Sequence, residues 1–425
     1  MDKVSIVLLL VLICGCSSMN QKMNDGIERI PIDVHNVSRD ASLFIDKIEL
    51  VPLETNDSSL LHKYRKVMYD KETDVYAVYT REQVIFTFSG NGAFISNSKK
   101  MQGQGPDEYH MAIDVKFNPY LQGLDLLNPY GTIYTYSLDF KLLAKRKIKP
   151  EFPIDHLIAF NTEEYIFTYP SLWTDQEVAF ANLRTQQIYN ANYNGTISSG
   201  NSMDKECFYK IGDNFYFIPP GINYYFYRID TKEMKFTPMM YLDFGDSEIK
   251  EEGLPGRAAG KRTDLDEERL RVVKEMQDRS QFLKHSNNHF VPLIKFFNED
   301  YVYVYFVKST QGFGSNFIYN RKTKESFLTN EGKPFIMNCC FAIVDNILLS
   351  IHQPEYVSRL VDQRFMSSEE IRKMEQIKED DNPVIIKFEK INAACWAIFL
   401  NEKERKTLIH HQAHIRLHFI QYLFR

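Results

Sequence analysis

One property of this chain restricts its fold more than any other: a weak self-similarity at a period of about 46 residues. Ile85-Phe86-Thr87-Phe88-Ser89 is matched 48 positions later by Ile133-Tyr134-Thr135-Tyr136-Ser137. Leu183-Arg184-Thr185 is matched 46 positions later by Ile229-Asp230-Thr231, and Tyr227…Thr231-Lys232 returns 92 positions on as Tyr319…Thr323-Lys324. A last copy reads Val384-Ile385-Ile386-Lys387-Phe388. Each copy alternates apolar and polar residues at strand period, then turns at Gly, Asn, Asp or Thr-Lys. Upstream of most copies sits a second aromatic strand, such as Asp74-Val75-Tyr76-Ala77-Val78-Tyr79 or Asp300-Tyr301-Val302-Tyr303-Val304-Tyr305. A unit of that size at that period is what a propeller blade needs, because stacked units bury faces that none can bury alone. The anchors Phe88, Tyr136, Ala181, Tyr227, Tyr319 and Phe388 predict an all-β fold, a six-bladed β-propeller of four-stranded antiparallel blades. A β-sandwich with coincidental similarity is the alternative.

The interval from Tyr227 to Tyr319 spans two periods because it holds a helical insertion, placed at about 246–287. After Thr263, the residues Leu265, Val272, Met276 and Leu283 fall on one helix face. A second insertion, 367–381, starts with a capping box from Ser367 to Glu370 and adds one short helix to the last blade. That blade runs out of strands near Ile391, while Ile48-Glu49-Leu50-Val51-Pro52-Leu53-Glu54 lies ahead of the first blade without a partner. Pairing the two closes the ring and removes two exposed edges. Ile27 to Val34 is expected to add a further outer strand. The propeller thus covers 27–391, leaving 392–425 as an accessory tail.

The N-terminus carries a different signal. Lys3 precedes an apolar stretch, Ser5 to Ile13, that is long enough for a signal-peptide core and too short to span a bilayer. Ile13-Cys14-Gly15-Cys16 resembles the bacterial lipobox, which implies lipidation of Cys16 after cleavage before it. A plain secretory signal is the alternative. The chain then divides into a signal peptide, 1–15, and a lipidated linker, 16–26. Each buried acyl methylene contributes about 0.8 kcal/mol, so several acyl chains hold a protein on a membrane without a spanning helix. Cys207, Cys339, Cys340 and Cys395 remain, with no CxxC or His/Cys ligand spacing, and read as core thiols. No metal and no cofactor are expected. A net charge of -5 with no basic stripe argues against a nucleic-acid partner.

Three stretches carry a family resemblance: Ile48-Glu49-Leu50-Val51-Pro52-Leu53-Glu54-Thr55, Gly90-Asn91-Gly92-Ala93-Phe94-Ile95 and Gly103-Gln104-Gly105-Pro106-Asp107-Glu108-Tyr109. Over roughly 27–391 the chain resembles the six-bladed β-propeller lipoproteins abundant in Bacteroidetes, distantly similar to NHL-type propellers. The resemblance implies fold and location and brings no settled activity. The family pattern in the third stretch is usually Gly-x-Gly-Pro-Gly-Glu-Tyr; a Gly in place of Asp107 would supply a positive φ, which Asp tolerates better than most residues. Surface-exported lipoproteins of these bacteria often carry acidic residues soon after the lipidated cysteine. Ser17-Ser18-Met19-Asn20-Gln21-Lys22 has none, which favours an outer-membrane protein facing the periplasm.

Candidate ligand-binding residues come from predicted turns. Gln102, Gln104 and Tyr109 either face the central channel or belong to a structural turn whose tyrosine caps a blade interface. Tyr130, Trp173 and Tyr224 also lie near turns, where rings stack on sugars or peptide side chains. Gly253 to Thr263 fails phosphate-loop spacing and reads as a flexible loop, or as a basic lid over one mouth of the propeller. His410, His414 and His418 share one face of a helix if the tail is helical, but have no acidic or cysteine partner nearby. The tail is otherwise an apolar accessory helix or an out-of-frame extension. Asp155-His156, Asp175 and Glu177 offer carboxylates and an imidazole whose separation a sequence does not fix. No Gly-x-Ser-x-Gly or His-Glu-x-x-His occurs, and the catalytic residues stay unassigned.

The expected function is a lipid-anchored binding or scaffolding module of the cell envelope, whose partner is a peptide, a glycan or an envelope protein. The alternative is a propeller enzyme, a hydrolase, lyase or metal-dependent lactonase, acting on envelope or dietary carbohydrate. An assembly factor for outer-membrane proteins is a third reading.

Overall fold

The structure, a computed structural model, describes residues 26–38, 45–169, 178–191, 193, 206–219, 222–249, 289–308, 314–330 and 340–389, with isolated positions between 270 and 285. Two strands precede the ring: β1 (Glu28–Pro31) and β2 (Lys47–Pro52). The first blade is β3 (Tyr64–Asp70), β4 (Val75–Thr80), β5 (Ile85–Ser89) and β6 (Phe94–Asn97). The second is β7 (Asp114–Asn118), β8 (Gly123–Leu127), β9 (Thr132–Tyr136) and β10 (Leu142–Lys147). The third is β11 (His156–Ala159), β12 (Glu164–Thr168), β13 (Val178–Asn182) and β14 (Gln187–Asn190). The fourth is β15 (Phe208–Ile211), β16 (Asn214–Phe217), β17 (Tyr225–Asp230) and β18 (Lys235–Asp243). The fifth is β19 (Val291–Phe297), β20 (Tyr301–Val307), β21 (Gly314–Asn320) and β22 (Ser326–Asn330). The last takes β23 (Cys340–Val344), β24 (Ile347–His352) and β25 (Val384–Glu389) from the C-terminal side. Within each blade the strands are antiparallel neighbours in chain order, so the fold is a six-bladed β-propeller.

The repeat anchors explain the register. Phe88, Tyr136, Ala181, Tyr227, Tyr319 and Phe388 each lie on the third strand of their blade, and each is buried. Side chains there pack outwards from both faces of the sheet into the neighbouring blades. The buried apolar residues accordingly fall into one layer per blade interface. Val78, Phe86 and Phe88 pack against Leu349, Ile351 and Ile385, joining the first blade to the last. Tyr79 and Ile85 meet Leu124 and Tyr136 at the next interface, and Leu127 meets Tyr165 and Phe167 after it. Ile166 and Phe180 meet Phe208 and Phe217, Phe226 meets Val302, and Tyr303 meets Phe388.

Ring closure follows the sequence expectation. β2 pairs antiparallel with β25, from Lys47 opposite Glu389 to Pro52 opposite Val384, and forms the outermost strand of the last blade. The expected further strand also forms, but on another blade: β1 runs parallel to β18 as a fifth, outer strand of the fourth blade. Glu28 of β1 then pairs with Arg321 at 2.7 Å and Lys324 at 3.2 Å, strapping the fourth blade to the fifth.

Two helices bridge β24 and β25: α1 (Pro354–Leu360) and α2 (Ser368–Gln376). Ser367 caps α2 by accepting from the Glu370 N–H at 3.2 Å. The Glu370 carboxylate does not return to the cap, as a reciprocal capping box would require. It accepts instead from the Leu50 N–H of edge strand β2 at 2.6 Å and from Lys373 at 2.7 Å. The helix thereby covers an outward-facing donor of the edge strand. Glu370→Ala is expected to lower the unfolding free energy by about 1–3 kcal/mol, because the Leu50 N–H loses its acceptor. Glu369→Ala, on the exposed side of the same turn, should cost under about 0.5 kcal/mol. Chemical denaturation of both variants checks this. In the earlier insertion, described positions such as Lys274, Gln277 and Gln281 are helical; Leu265, Val272, Met276 and Leu283 lie outside the described residues.

Candidate functional site

The first strands of the blades, β3, β7, β11, β15, β19 and β23, form the inner edge of the ring. Each begins at the face carrying the turns between second and third strands, and ends at the face carrying the turns between first and second strands. The two ends of the channel they enclose are chemically different.

Near the strand starts, charged side chains fill the channel. Lys66 Nζ lies 2.7 Å from Asp114 and 3.0 Å from Glu206, and donates to the Val115 carbonyl at 3.0 Å. Lys116 Nζ lies 2.7 Å from Glu206 and donates to the Phe208 carbonyl at 2.6 Å. Glu206 also accepts from the Cys207 and Phe208 N–H groups, and Asp114 from those of Val115 and Leu157. His156 Nδ1 stands 3.6 Å from Asp114. These groups come from the first four blades, so the cluster ties the inner strands together across the axis.

The cluster holds its carboxylates and Lys66 ionised. Burial alone would raise the pKa values of Asp114 and Glu206, yet Lys66 and His156 bring Asp114, and Lys116 and Lys66 bring Glu206, below the ordinary carboxylate range. Burial alone would lower Lys66 and His156; Asp114, with Glu206 beside Lys66 and Asp155 beside His156, leaves both raised. A general acid or base works best near the operating pH, and this arrangement moves the carboxylates and Lys66 away from it.

At the other end the channel opens into a cavity of about 810 Å³. Its inner end is lined by Lys116 and Glu206, and its mouth by the ends of the first strands, with Asp70 and Lys210, and by the turns that follow first strands, with Glu72, Glu299 and Asp345. One wall is apolar: Phe341, Ala342, Ile343 and Val344 of β23 are only half-buried. Of the lining rings, Tyr69 packs at a tilt against Tyr76, Tyr209 meets Phe296 edge-on, and Phe297 is buried against Tyr216.

The residues singled out from sequence lie elsewhere. Gln102, Gln104, Tyr109, Tyr130 and Tyr224 belong to the opposite face, and none lines the cavity. Gln102 and Gln104 are exposed, with Gln102 donating to the Glu82 carbonyl at 3.1 Å. Tyr109 is fully buried between the first two blades, where its hydroxyl donates to the Gln83 carbonyl at 2.7 Å and lies 2.5 Å from Ser98 Oγ. Glu108 explains the two glycines before it. Its carboxylate accepts from the Gly105 N–H at 2.8 Å, and a Cβ on Gly103 would meet it at 2.0 Å. Asp107 does not take the left-handed conformation expected at that position; its carbonyl instead accepts from Tyr136 Oη at 2.6 Å. Tyr130 is 67% exposed at the tip of the β8–β9 turn. Tyr224 is buried, donating to the Phe290 carbonyl and accepting from the Ile249 N–H, each at 2.8 Å.

Asp155 and His156 are brought into the channel cluster, both buried. Cys16, Trp173, Asp175, Glu177, His410, His414, His418 and the 253–263 loop lie outside the described residues. Cys207 and Cys340 are buried and unbridged. Among the described residues, no group of three or more His, Cys, Asp or Glu side chains is arranged to hold a metal ion, and no helix is long and apolar enough to cross a membrane. Sequence reasoning missed Lys66, Asp114, Lys116 and Glu206. Their signal was confined to spacing: Lys66, Asp114 and Glu206 recur at one phase of the repeat, 48 and then 92 positions apart, at or just before a first strand.

The chain is similar to solved structures to different degrees. A Bacteroides fragilis NCTC 9343 protein inferred to be exported superposes with a TM-score of 0.61 at 15% identity, covering 85% of this chain and 98% of that one. The β-propeller domain of Myceliophteria thermophila Cps50 (Swd1) gives 0.41 at 9% identity, over 81% of this chain and 100% of that one. The Pan2 WD40 domain of Neurospora crassa gives 0.36 at 6%, over 69% and 73%. No curated protein matches. A family model matches residues 28–389, from the first residue of β1 to the last of β25. The chain therefore belongs to the family described as "Domain of unknown function (DUF4934)".

Proposed function

We propose that the chain is an exported, lipid-anchored propeller of the outer membrane, facing the periplasm, which binds a ligand in the channel-mouth cavity as a binding or scaffolding module. The observation that carries this reading is the cavity itself. A half-exposed apolar wall, Phe341 to Val344, faces a space of about 810 Å³ above an ionised but internally neutralised floor. That volume falls within the range of small-ligand and peptide sites, and mixed walls of this kind select by shape and polarity together. The charged floor is committed to holding four blades in register, which suits a rigid receptor better than a site of proton transfer. The export signal with Cys16, and the exported B. fragilis neighbour, support the location.

A photo-crosslinking residue at position 343 in cells is expected to give a discrete adduct in the membrane fraction. The same residue at position 130, exposed on the opposite face, should give none. In a Cys16→Ser background the adduct should leave the membrane fraction. Equal labelling from both positions, or none from 343, would remove the cavity as the binding site; an adduct that stays with the membrane without Cys16 would remove the lipid anchor.

A further inference from the structure

Resting on that reading of the cavity, we propose that its occupant is an extended peptide segment of a partner protein that presents an aliphatic side chain flanked by Lys or Arg. Three features of the site converge on this chemistry. The first is the charge left over at the mouth. Lys71 is neutralised by Asp345 at 2.7 Å and Lys322 by Asp300 at 2.5 Å. Lys210 lies over the rings of Tyr120 and Phe215. Asp70, Glu72 and Glu299 have no ion-pair partner among the described residues, although Asp70 accepts from the Thr73 N–H and hydroxyl; with the charge of Lys210 counted against them, the mouth still offers an excess of carboxylate to a cation.

The second feature is the wall. Phe341 and Ile343 leave an apolar surface half-exposed, while three of the lining rings are already engaged by other rings. Phe341 is the one ring of this wall; Ala342, Ile343 and Val344 beside it make the surface mainly aliphatic, which suits an aliphatic side chain. The third feature is the floor. An ammonium has three donors, and Lys116 commits two, to Glu206 and to the Phe208 carbonyl. The ammonium also lies 5.7 Å over the Tyr209 ring, and its remaining N–H, the one without an oxygen partner, can be taken by an acceptor entering the cavity; a peptide carbonyl supplies one beside the aliphatic side chain. A peptide carries cation, aliphatic group and carbonyl at adjacent positions, whereas a neutral glycan carries neither of the first two.

The test uses the full chain and three fluorescently labelled, acetylated heptapeptides: GSKLKSG, its charge-reversed form GSELESG, and GSKSKSG without the aliphatic group. Anisotropy titrations at low salt are expected to show GSKLKSG binding at least tenfold more tightly than either of the others, with the advantage over GSELESG shrinking as salt rises. The double variant Glu72→Lys/Glu299→Lys, at two exposed turn positions, should reverse the charge preference while keeping the circular dichroism spectrum. Ile343→Asp should erase the advantage over GSKSKSG. Equal binding of GSKLKSG and GSELESG would overturn the cationic element, and equal binding of GSKLKSG and GSKSKSG the aliphatic one. If position 343 crosslinks in cells while no peptide is preferred, the cavity reading stands and the peptide class falls; if neither occurs, both fall.

Discussion

Lys66→Met is expected to destabilise the propeller by about 3–5 kcal/mol, the range for breaking a buried ion pair by removing one partner. The Lys66 side chain is 5% exposed, and its loss leaves Asp114, fully buried, facing Glu206 with one fewer cation between them. The two carboxylates then disfavour each other's charge, and burial adds to the effect. A pH series separates this cause from simple loss of packing. In the native chain the depressed values of Asp114 and Glu206 contribute stability that is fully present above their ordinary pKa values of 3.8 and 4.5, and that is lost as the pH falls through the folded values. The raised His156 works in the opposite sense: its contribution is complete below 6.5 and disappears as the pH rises through its folded value. Without Lys66 the carboxylates should be easier to protonate in the folded state than in the unfolded one. The deficit of the variant, read from urea midpoints, should therefore shrink as the pH is lowered from 7 towards 4. A deficit independent of pH would show that Lys66 acts through packing alone. Adding Asp114→Asn to Lys66→Met should recover part of the loss, because it removes one of the two opposed charges.

These positions show which parts of the molecule a linear reading reaches. The ring was legible because each blade repeats the same demand: the third strand is buried on both faces, so its anchor must be apolar or aromatic in every copy. Closure was legible because Ile48 to Glu54 alternated like a strand while no neighbour in sequence could pair with it. The channel cluster follows a different logic. Lys66 and Asp114 are 48 positions apart and become partners only when the first strands of two neighbouring blades come to lie side by side. Each looks locally like a charge at the solvated end of a strand. The 102–109 segment was visible as a motif, but its glycines serve Glu108 and its tyrosine serves a blade interface. Helix α1 escaped notice because Pro354 to Leu360 is too short for periodicity; Val357 and Leu360 supply its buried side. The parallel β1–β18 pairing had no signal in the repeat, since β1 lies outside it.

The ring's remaining weak point is its seam, and there Asn382→Ala is expected to cost about 3 kcal/mol, by the loss of three side-chain hydrogen bonds. Asn382 is 1% exposed and immediately precedes Pro383 and β25. Its Oδ1 accepts from the Leu61 N–H at 2.8 Å, and its Nδ2 donates to the carbonyls of Glu54 and Ser59 at 2.7 and 2.9 Å. Its backbone N–H donates to Thr55 Oγ1 at 2.7 Å. One side chain thus holds the segment following β2 against the start of β25, where the N- and C-terminal parts of the chain meet. Alanine removes the three side-chain bonds at once. Asn382→Asp keeps the acceptor for Leu61 but turns the other oxygen towards two carbonyls, so it should be at least as damaging near neutral pH. Protonation restores one donor, and because burial against two carbonyls raises the folded pKa of this carboxyl above its ordinary value of about 4, the Asp variant should regain stability as the pH falls from neutral towards 4 and change little further below it. The Ala variant should show no such recovery. Loss of cooperativity is the second readout. With the seam weakened, the last blade should open before the others, giving an early phase in chemical denaturation that the native chain lacks. If Asn382→Ala costs less than about 1 kcal/mol, which is no more than one ordinary hydrogen bond, and unfolding stays in a single phase, closure rests on the β2–β25 ladder and the Glu370 contact instead.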